Sequence, residues 1–518
     1  MRKWGPLVAV CLGTFMLLLD VTIVVVALPQ MADSLDASLP DLQWVVDGYA
    51  LALAALLLAV GALADRLGRR RVYLAGVVVF AVASVVCGLA PDAPTLVVAR
   101  IVQGVGGAAM FATVLSIISA TYQGKDRSVA LGVWGAVSGA AAAVGPIAGG
   151  LLTDALDWRW IFFVNLPVSL VAIVMTLRVV AESKNPRARR VDVAGTVVFT
   201  VFASAAVYAM IEAGDAGWGA ARTLALFGLA VLALALFIGV ELRVEQPMLE
   251  LALFRRASFV GVMLGAFALN AAGFAALAYS SLWLQTVLGM SPVAAGAVFL
   301  PLSGAAFVVA AVGGRLLHGV PARFTVGIGL LLIGAGAALP GLIGIADSWT
   351  VLIPGSVLIG LGVGLVAPAV SGAALASVPP ERYGMASGAL NTFRQLGYAF
   401  GVAVLGSVVV ARIQQVLTEH QVPQPDAVGR ALASGAYRQI VAQVPATARQ
   451  QAESALHAGY ASGLNYAWLI AGVVGVAAGV LVLLTVRTPA PEPHSNDQRD
   501  DRRAPATDAA RPDPAPAA

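Results

Sequence analysis

Apolar residues fill most of the chain in runs of about twenty, separated by short polar breaks. The runs predict fourteen helices, at residues 7–28, 44–64, 72–90, 95–120, 129–152, 162–180, 193–212, 222–241, 259–284, 292–312, 324–345, 351–377, 385–410 and 463–486. A helix rises 1.5 Å per residue, so about 20 apolar residues cross a bilayer core of roughly 30 Å. The ten-residue alternation of a membrane barrel is absent. The expected class is therefore an all-α polytopic membrane protein. Two segments interrupt the pattern. Residues 411–460, polar and rich in Ala and Gln, are expected to form a long, partly helical outer loop. Residues 489–518, rich in Pro, Ala, Asp and Arg, are expected to be a disordered tail. Met1-Arg2-Lys3 before an apolar run resembles a signal peptide, but the run continues to Leu28 and reads as an uncleaved first helix.

The polar breaks carry an orientation. With the N-terminus inside, the inner loops hold Arg66, Arg69, Arg70 and Arg71; Lys125 and Arg127; Lys184, Arg187, Arg189 and Arg190; Arg243, Arg255 and Arg256; Arg315 and Arg323; and Arg382. The outer loops hold Asp33, Asp36, Asp41, Asp92, Asp215 and Asp347, with Arg159 and Arg412 as exceptions. Basic residues gather on the cytoplasmic side of membrane proteins, so both termini are expected in the cytoplasm.

Composition narrows the function. Of the 518 residues, 59% are hydrophobic and 12% charged, half the charge of a typical soluble domain. The net charge of +4 is small and says nothing about nucleic acid; the basic residues collect in short loops, a topology signal and not a binding patch, and no nucleic-acid partner is expected. Cys11 and Cys87 lie in apolar runs, and His318, His420, His457 and His494 are scattered, so neither a disulfide nor a metal centre is expected. No nucleotide-binding loop or catalytic constellation is present; the chain reads as a non-enzyme without cofactors.

The candidate chemistry lies in charges inside the spans, which are costly there and therefore informative. Asp20 is 13 residues beyond Leu7, roughly 20 Å from the cytoplasmic face. Arg100 enters from the outside and reaches about 22 Å from the same face. At similar depth, an Arg moving toward or away from Asp20 would switch its proton affinity. Asp47, near the outer end of the second helix, is a second proton-site candidate or a hydrated interfacial carboxylate. Glu212 and Glu241, near helix ends, read as interfacial. Asn391, Arg394 and Gln395 either line an inward cavity or brace neighbouring helices.

Several motifs carry a family resemblance. Gly61-Ala62-Leu63-Ala64-Asp65-Arg66-Leu67-Gly68-Arg69-Arg70-Arg71, after the second helix, puts a carboxylate at a helix C-terminus, where the dipole disfavours it, next to a basic cluster and a turn glycine. It resembles the signature loop of the major facilitator superfamily. Arg100, Gln103 and Gly104 resemble that superfamily's fourth-helix motif. Gly132 with Gly145-Pro146-Ile147-Ala148-Gly149-Gly150 resembles its antiporter motif, with Ala141 where another Gly is expected. Leu19-Asp20-Val21-Thr22 with Ala27-Leu28-Pro29, the stretch from Trp158 to Pro167, and the residues from Pro379 to Gln395 are similar to the 14-helix drug:proton antiporter branch. Val25 replaces a usual Asn. Gly314-Arg315-Leu316-Leu317-His318-Gly319 is a degraded second signature loop, so a symmetric latch is not expected.

The resemblance covers residues 5–486. It implies a six-helix bundle at 1–185, two extra linker helices at 186–250, and a second six-helix bundle at 251–488. It also implies a monomer in a bacterial inner membrane, rocking around a central site. The function implied is proton-coupled export of drugs or other small amphipathic compounds, cations among them, driven by the proton gradient. The alternative is an exporter dedicated to one endogenous metabolite, antibiotic or siderophore. The helix-5 Gly-Pro motif argues against an importer, and the short biased tail against a membrane sensor.

Overall fold

The computed structural model describes residues 3–37, 39–184, 192–245, 247–316, 320–345 and 348–486. The expected tail at 489–518, His494, Asp347, Arg187, Arg189, Arg190 and, in the second signature loop, Leu317, His318 and Gly319 lie outside these residues. The helices are α1 (Gly5–Leu35), α2 (Leu39–Leu67), α3 (Arg69–Gly88), α4 (Ala93–Thr121), α5 (Gly124–Ala155), α6 (Trp160–Phe163), α7 (Asn165–Val179), α8 (Val193–Asp215) and α9 (Ala221–Glu241). They continue as α10 (Ala257–Gly273), α11 (Ala275–Thr286), α12 (Pro292–Val298), α13 (Leu300–Leu316), α14 (Ala322–Ile343), α15 (Leu352–Ala376), α16 (Tyr383–Glu419), α17 (Pro425–Ala433), α18 (Tyr437–Gln443) and α19 (Arg449–Thr485).

Each predicted segment falls on a helix or a consecutive pair. Among the described residues, twelve helices are long and apolar enough to cross a membrane. The segments at α5 and at α12–α13 are helical but outside that set, the latter contributing only a shorter apolar stretch, Leu300–Gly313. The fold is thus all-α and polytopic.

Local chemistry sets several helix ends. Asp92 caps α4 by accepting from the Thr95 amide at 2.8 Å, with Pro94 in the first turn. Asp192 caps α8 through the Gly195 amide at 2.7 Å. Gly68 joins α2 to α3 at φ +111°, a conformation that a side chain would strain.

Helix α1 packs on α5 and α7, and α4 on α2 and α3. Later in the chain α14 packs on α15 and α19, α13 on α15, and α16 on α10 and α19. Helices α8 and α9 pair with each other, and α8 leans on α2 and α16. The earlier and later groups meet where α2 packs on α16 and α5 on α13. Glycines permit the first contact: a Cβ on Gly388 would lie 2.6 Å from the Leu57 carbonyl oxygen, and one on Gly61 would strike that of Gly384.

Residues 411–460 are more ordered than a loop. Helix α16 runs on to Glu419, α19 starts at Arg449, and α17 and α18 lie between them. Val409, Ile413 and Leu417 at four-residue spacing bury against Leu432, Leu456 and Tyr460. This sparse stripe, diluted by surrounding Gln and Ala, extends the apolar core of the later helices into the segment.

Candidate functional site

Asp20 and Arg100 meet inside the first group of helices. Arg100 Nη1 donates to Asp20 Oδ2 at 2.6 Å, and the side chains are 0% (Asp20) and 1% (Arg100) exposed. The other carboxylate oxygen, Oδ1, accepts from Gln103 Nε2 and Asn165 Nδ2, both at 2.9 Å. Arg100 also donates to Gln103 Oε1 at 2.7 Å and, through Nε, to the Val45 carbonyl at 3.0 Å. Its guanidinium lies 4.2 Å from the Tyr49 ring centroid. Ser84 Oγ accepts from Gln103 Nε2 at 2.9 Å and donates to the Phe80 carbonyl at 2.8 Å.

This network joins α1 to α4 and α7 through the carboxylate, and reaches α2 and α3 through Arg100, Gln103 and Asn165. A charge so enclosed is stable only with full hydrogen bonding and an opposite charge, and both are present. Protonating Asp20 would cancel the attraction to Arg100 and leave the guanidinium to Gln103, Val45 and Tyr49. Asn165 and Ser84 had no role assigned from sequence. Their signal was a buried amide and a hydroxyl at apolar helix positions, which becomes specific only once α3 and α7 are placed around Asp20. Gly104 lets α4 approach α2, because a Cβ there would lie 2.6 Å from the Tyr49 carbonyl oxygen. Asp47 is half-buried on α2, near Tyr398 of α16, and is not a hydrogen-bond partner of Asp20 or Arg100 in this network.

The signature loop forms a second polar site. Asp65 Oδ1 accepts from Arg69 Nη2 at 2.7 Å and from the Gly384 amide at 2.7 Å, and Oδ2 accepts from the Met385 amide at 2.9 Å. A carboxylate disfavoured at the C-terminus of α2 is thus received by the N-terminus of α16. Arg69 also donates to the Pro380 carbonyl at 2.6 Å and lies 5.5 Å from the Tyr383 ring. The Arg70 and Arg71 amides donate to Glu182 at 3.1 and 3.2 Å, tying the loop to the segment after α7. Arg66 is partly exposed.

The antiporter-motif residues line the α1–α5 contact and its outer neighbours. Gly132, Gly145, Gly149 and Gly150 are buried. A Cβ on Gly145 would strike Thr22, and one on Gly150 would lie 3.2 Å from Val293 of α12. Helix α5 continues unbroken through position 146, the site of Pro146. On α16, Asn391 Nδ2 donates to the Phe111 carbonyl of α4 at 3.2 Å, bridging the two groups. Arg394 donates to the Ala367 carbonyl at 3.2 Å and to Ser371 Oγ at 3.1 Å on α15, and its guanidinium lies 5.6 Å from the Trp134 ring. Asn391 and Arg394 thus hydrogen-bond to neighbouring helices here, while Gln395 is partly exposed.

Glu212 pairs with Arg222 at 3.6 Å. Glu241, read from sequence as interfacial, is instead 4% exposed, because the segment after α9 folds back over it. Among the described residues no group of three or more His, Cys, Asp and Glu side chains could hold a metal ion.

A polytopic helical fold with buried charges in its spans defines a multi-pass membrane protein. Residues 10–402 match the Major Facilitator Superfamily, and the chain belongs to that family, one of transporters and not of enzymes. It is 38% identical over 423 residues to the multidrug resistance protein Stp of Mycobacterium tuberculosis, covering 81% of this chain and 79% of that protein. It is 34% identical over 505 residues to the tetracenomycin C resistance and export protein of Streptomyces glaucescens, covering 93% and 92%. Similarity to the puromycin resistance protein pur8 of Streptomyces alboniger is 38% over 430 residues, covering 81% and 84%. The fold resembles the crystal structure of the human organic anion transporter MFSD10, with a TM-score of 0.62 at 15% identity, covering 93% of this chain and 100% of that one. The multi-pass architecture and bacterial relatives place the chain in a bacterial cell membrane.

Proposed function

We propose that the chain is a proton-coupled antiporter exporting drugs or other small amphipathic compounds from the cytoplasm by alternating access. In this reading the fourteen helical segments all span the membrane, as two six-helix bundles plus the α8–α9 pair, with both termini cytoplasmic. The carrying observation is Asp20, fully enclosed by Arg100, Gln103 and Asn165. It is an intramembrane carboxylate of α1 whose charge state governs its ties to α4 and α7. The names of the relatives support efflux of resistance-conferring compounds.

The cycle follows from the two polar sites. A proton arriving at Asp20 releases Arg100 and loosens α1 from α4. The Asp65 contact with the start of α16 is the latch that holds the cytoplasmic ends of the bundles together and opens in the inward-facing state. The driving force is adequate: one charge crossing 100 mV is worth about 2.3 kcal/mol, and each pH unit adds roughly 1.4 kcal/mol.

A second reading, export of one endogenous antibiotic, is favoured by the near-complete match to the tetracenomycin C export protein. Cellular accumulation of a panel of dyes and antibiotics, with and without a protonophore, tests both. Protonophore-sensitive efflux of many compounds supports the first reading, and efflux of one chemical class the second. Protonophore-insensitive efflux contradicts proton coupling.

A further inference from the structure

Two buried carboxylates outside the Asp20 network meet at the α8–α9 pair. Asp192 precedes the first residue of α8, and Glu241 is the last residue of α9; they are 9% and 4% exposed. One oxygen of each is satisfied by the backbone. Asp192 Oδ1 accepts from the Gly195 amide at 2.7 Å, and Glu241 Oε2 accepts from the Leu249 amide at 3.2 Å. The other oxygens, Asp192 Oδ2 and Glu241 Oε1, are buried without a hydrogen-bond partner. They converge beside Gly195, where a Cβ would overlap Asp192 Oδ2 and lie 2.7 Å from Glu241 Oε1. The missing side chain at position 195 makes room for both.

The surrounding charges do not resolve this meeting. Arg243, Glu245, Glu250, Arg255 and Arg256 belong to the segment that follows α9, Asp65 and Arg66 to the end of α2, and Arg382 to the start of α16. Asp65 is committed to Arg69, and Glu250 to Arg382. Among the described residues, no ion pair includes Asp192 or Glu241.

With no counter-charge among the described residues, two facing carboxylates cannot both stay ionised away from water. A metal cation would need about six oxygen ligands, whereas the backbone groups aimed at this pair are N–H donors. Helix dipoles decide where a proton sits. Asp192 stands at a helix N-terminus, which favours the anion, and Glu241 at a helix C-terminus, which disfavours it. We propose that Asp192 and Glu241 form a proton-binding site, with Glu241 Oε1 carrying the proton and donating it to Asp192 Oδ2. The shared proton joins α8 to α9. Through the Leu249 amide it also fastens the segment that leads into α10, which a separate hydrogen bond from Thr196 Oγ1 to Met248 Sδ at 3.5 Å ties to α8. The inference does not depend on the role of Asp20.

The test uses the full chain in lipid nanodiscs. Infrared spectra of wild type at neutral pH are expected to contain a buried carboxylic-acid carbonyl band that is lost in Glu241→Gln. The amide mimics the protonated acid, so Glu241→Gln should fold. The melting temperature of wild type should fall by several degrees on moving from mildly acidic to alkaline pH, and that of Glu241→Gln should fall less. Asp192→Asn, whose amide can donate to an ionised Glu241, should also flatten the profile and serves if Glu241→Gln does not fold. Identical pH profiles for wild type and both variants would overturn the proposal. So would a wild-type spectrum with no protonated carboxylic acid at neutral pH, whatever the fate of the variants. Stabilisation of wild type, but not of Glu241→Gln, by sodium or magnesium ions at fixed pH and ionic strength would replace the proton with a cation and equally overturn it.

Discussion

Arg100 Nη1 sits 2.6 Å from Asp20 Oδ2, in a pair sealed from solvent at the junction of α1 and α4. Removing one partner of such a pair strands the other, at a cost of about 3–5 kcal/mol. Arg100→Ala is therefore expected to lower the yield of folded protein sharply. The double variant Asp20→Asn with Arg100→Gln, which leaves no stranded charge, should recover much of it. Thermal stability in detergent for the three forms checks this; a double variant no more stable than Arg100→Ala would show that the charge itself is not the issue.

Asn165 donates to the same carboxylate at 2.9 Å. A hydrogen bond to a charged group contributes about 1.5–3 kcal/mol. Asn165→Ala is expected to reduce proton-coupled transport at least about tenfold, with protein still present in the membrane. Transport rates normalised to membrane protein level are the measurement.

The contact between Asp65 and the start of α16 depends on close backbone approach. A Cβ at position 384 would strike the Gly61 carbonyl oxygen and lie 2.6 Å from Asp65 Oδ1. Overpacking of this kind costs about 1–3 kcal/mol. Gly384→Ala should shift the ends of α2 and α16 apart, seen as a longer distance between spin labels on these ends. An unchanged distance distribution would show that the contact tolerates the methyl group.

The segment between α16 and α19 should behave as a folded cap. Leu432 is fully buried among residues of both helices, and truncating such a leucine costs about 2–5 kcal/mol. Leu432→Ala is expected to make residues 420–448 sensitive to protease in intact cells while the spans resist it.

Asp92 is held below the ordinary carboxylate range by hydrogen bonds from Thr95. Its capping contribution is present above the unfolded value and lost as pH falls below about 4. Protection of the amides in the first turn of α4, taken relative to their intrinsic exchange rate at each pH, should therefore fall on acidification in wild type. In Asp92→Ala it should be low throughout.

Much of this was legible in the chain because lipid imposes simple rules. Apolar run length located the helices, and counting residues along α1 and α4 put Asp20 and Arg100 at one depth. The partners of Asp65 were not legible, since the Gly384 and Met385 amides belong to a helix more than three hundred residues away and backbone donors leave no sequence mark. Asn165 and Ser84 were hidden for a related reason: small polar residues in spans are common, and only assembly shows which face a carboxylate. Glu241 misled because closeness to a helix end suggested hydration, whereas Met248 and Leu249 fold back to cover it. The cap was concealed by its composition, in which a few well-spaced apolar residues suffice to extend the core.

The central claim, that Asp20 couples substrate export to protons, is tested most directly by proton release from acid-loaded proteoliposomes. Wild type and Asp20→Asn, the variant first shown to be folded in the vesicles, would be challenged with a panel of lipophilic cations and uncharged drugs. Substrate-evoked release in wild type that disappears in the variant is the predicted result. Release that persists at the wild-type rate in Asp20→Asn would contradict the account and move the coupling role away from this carboxylate.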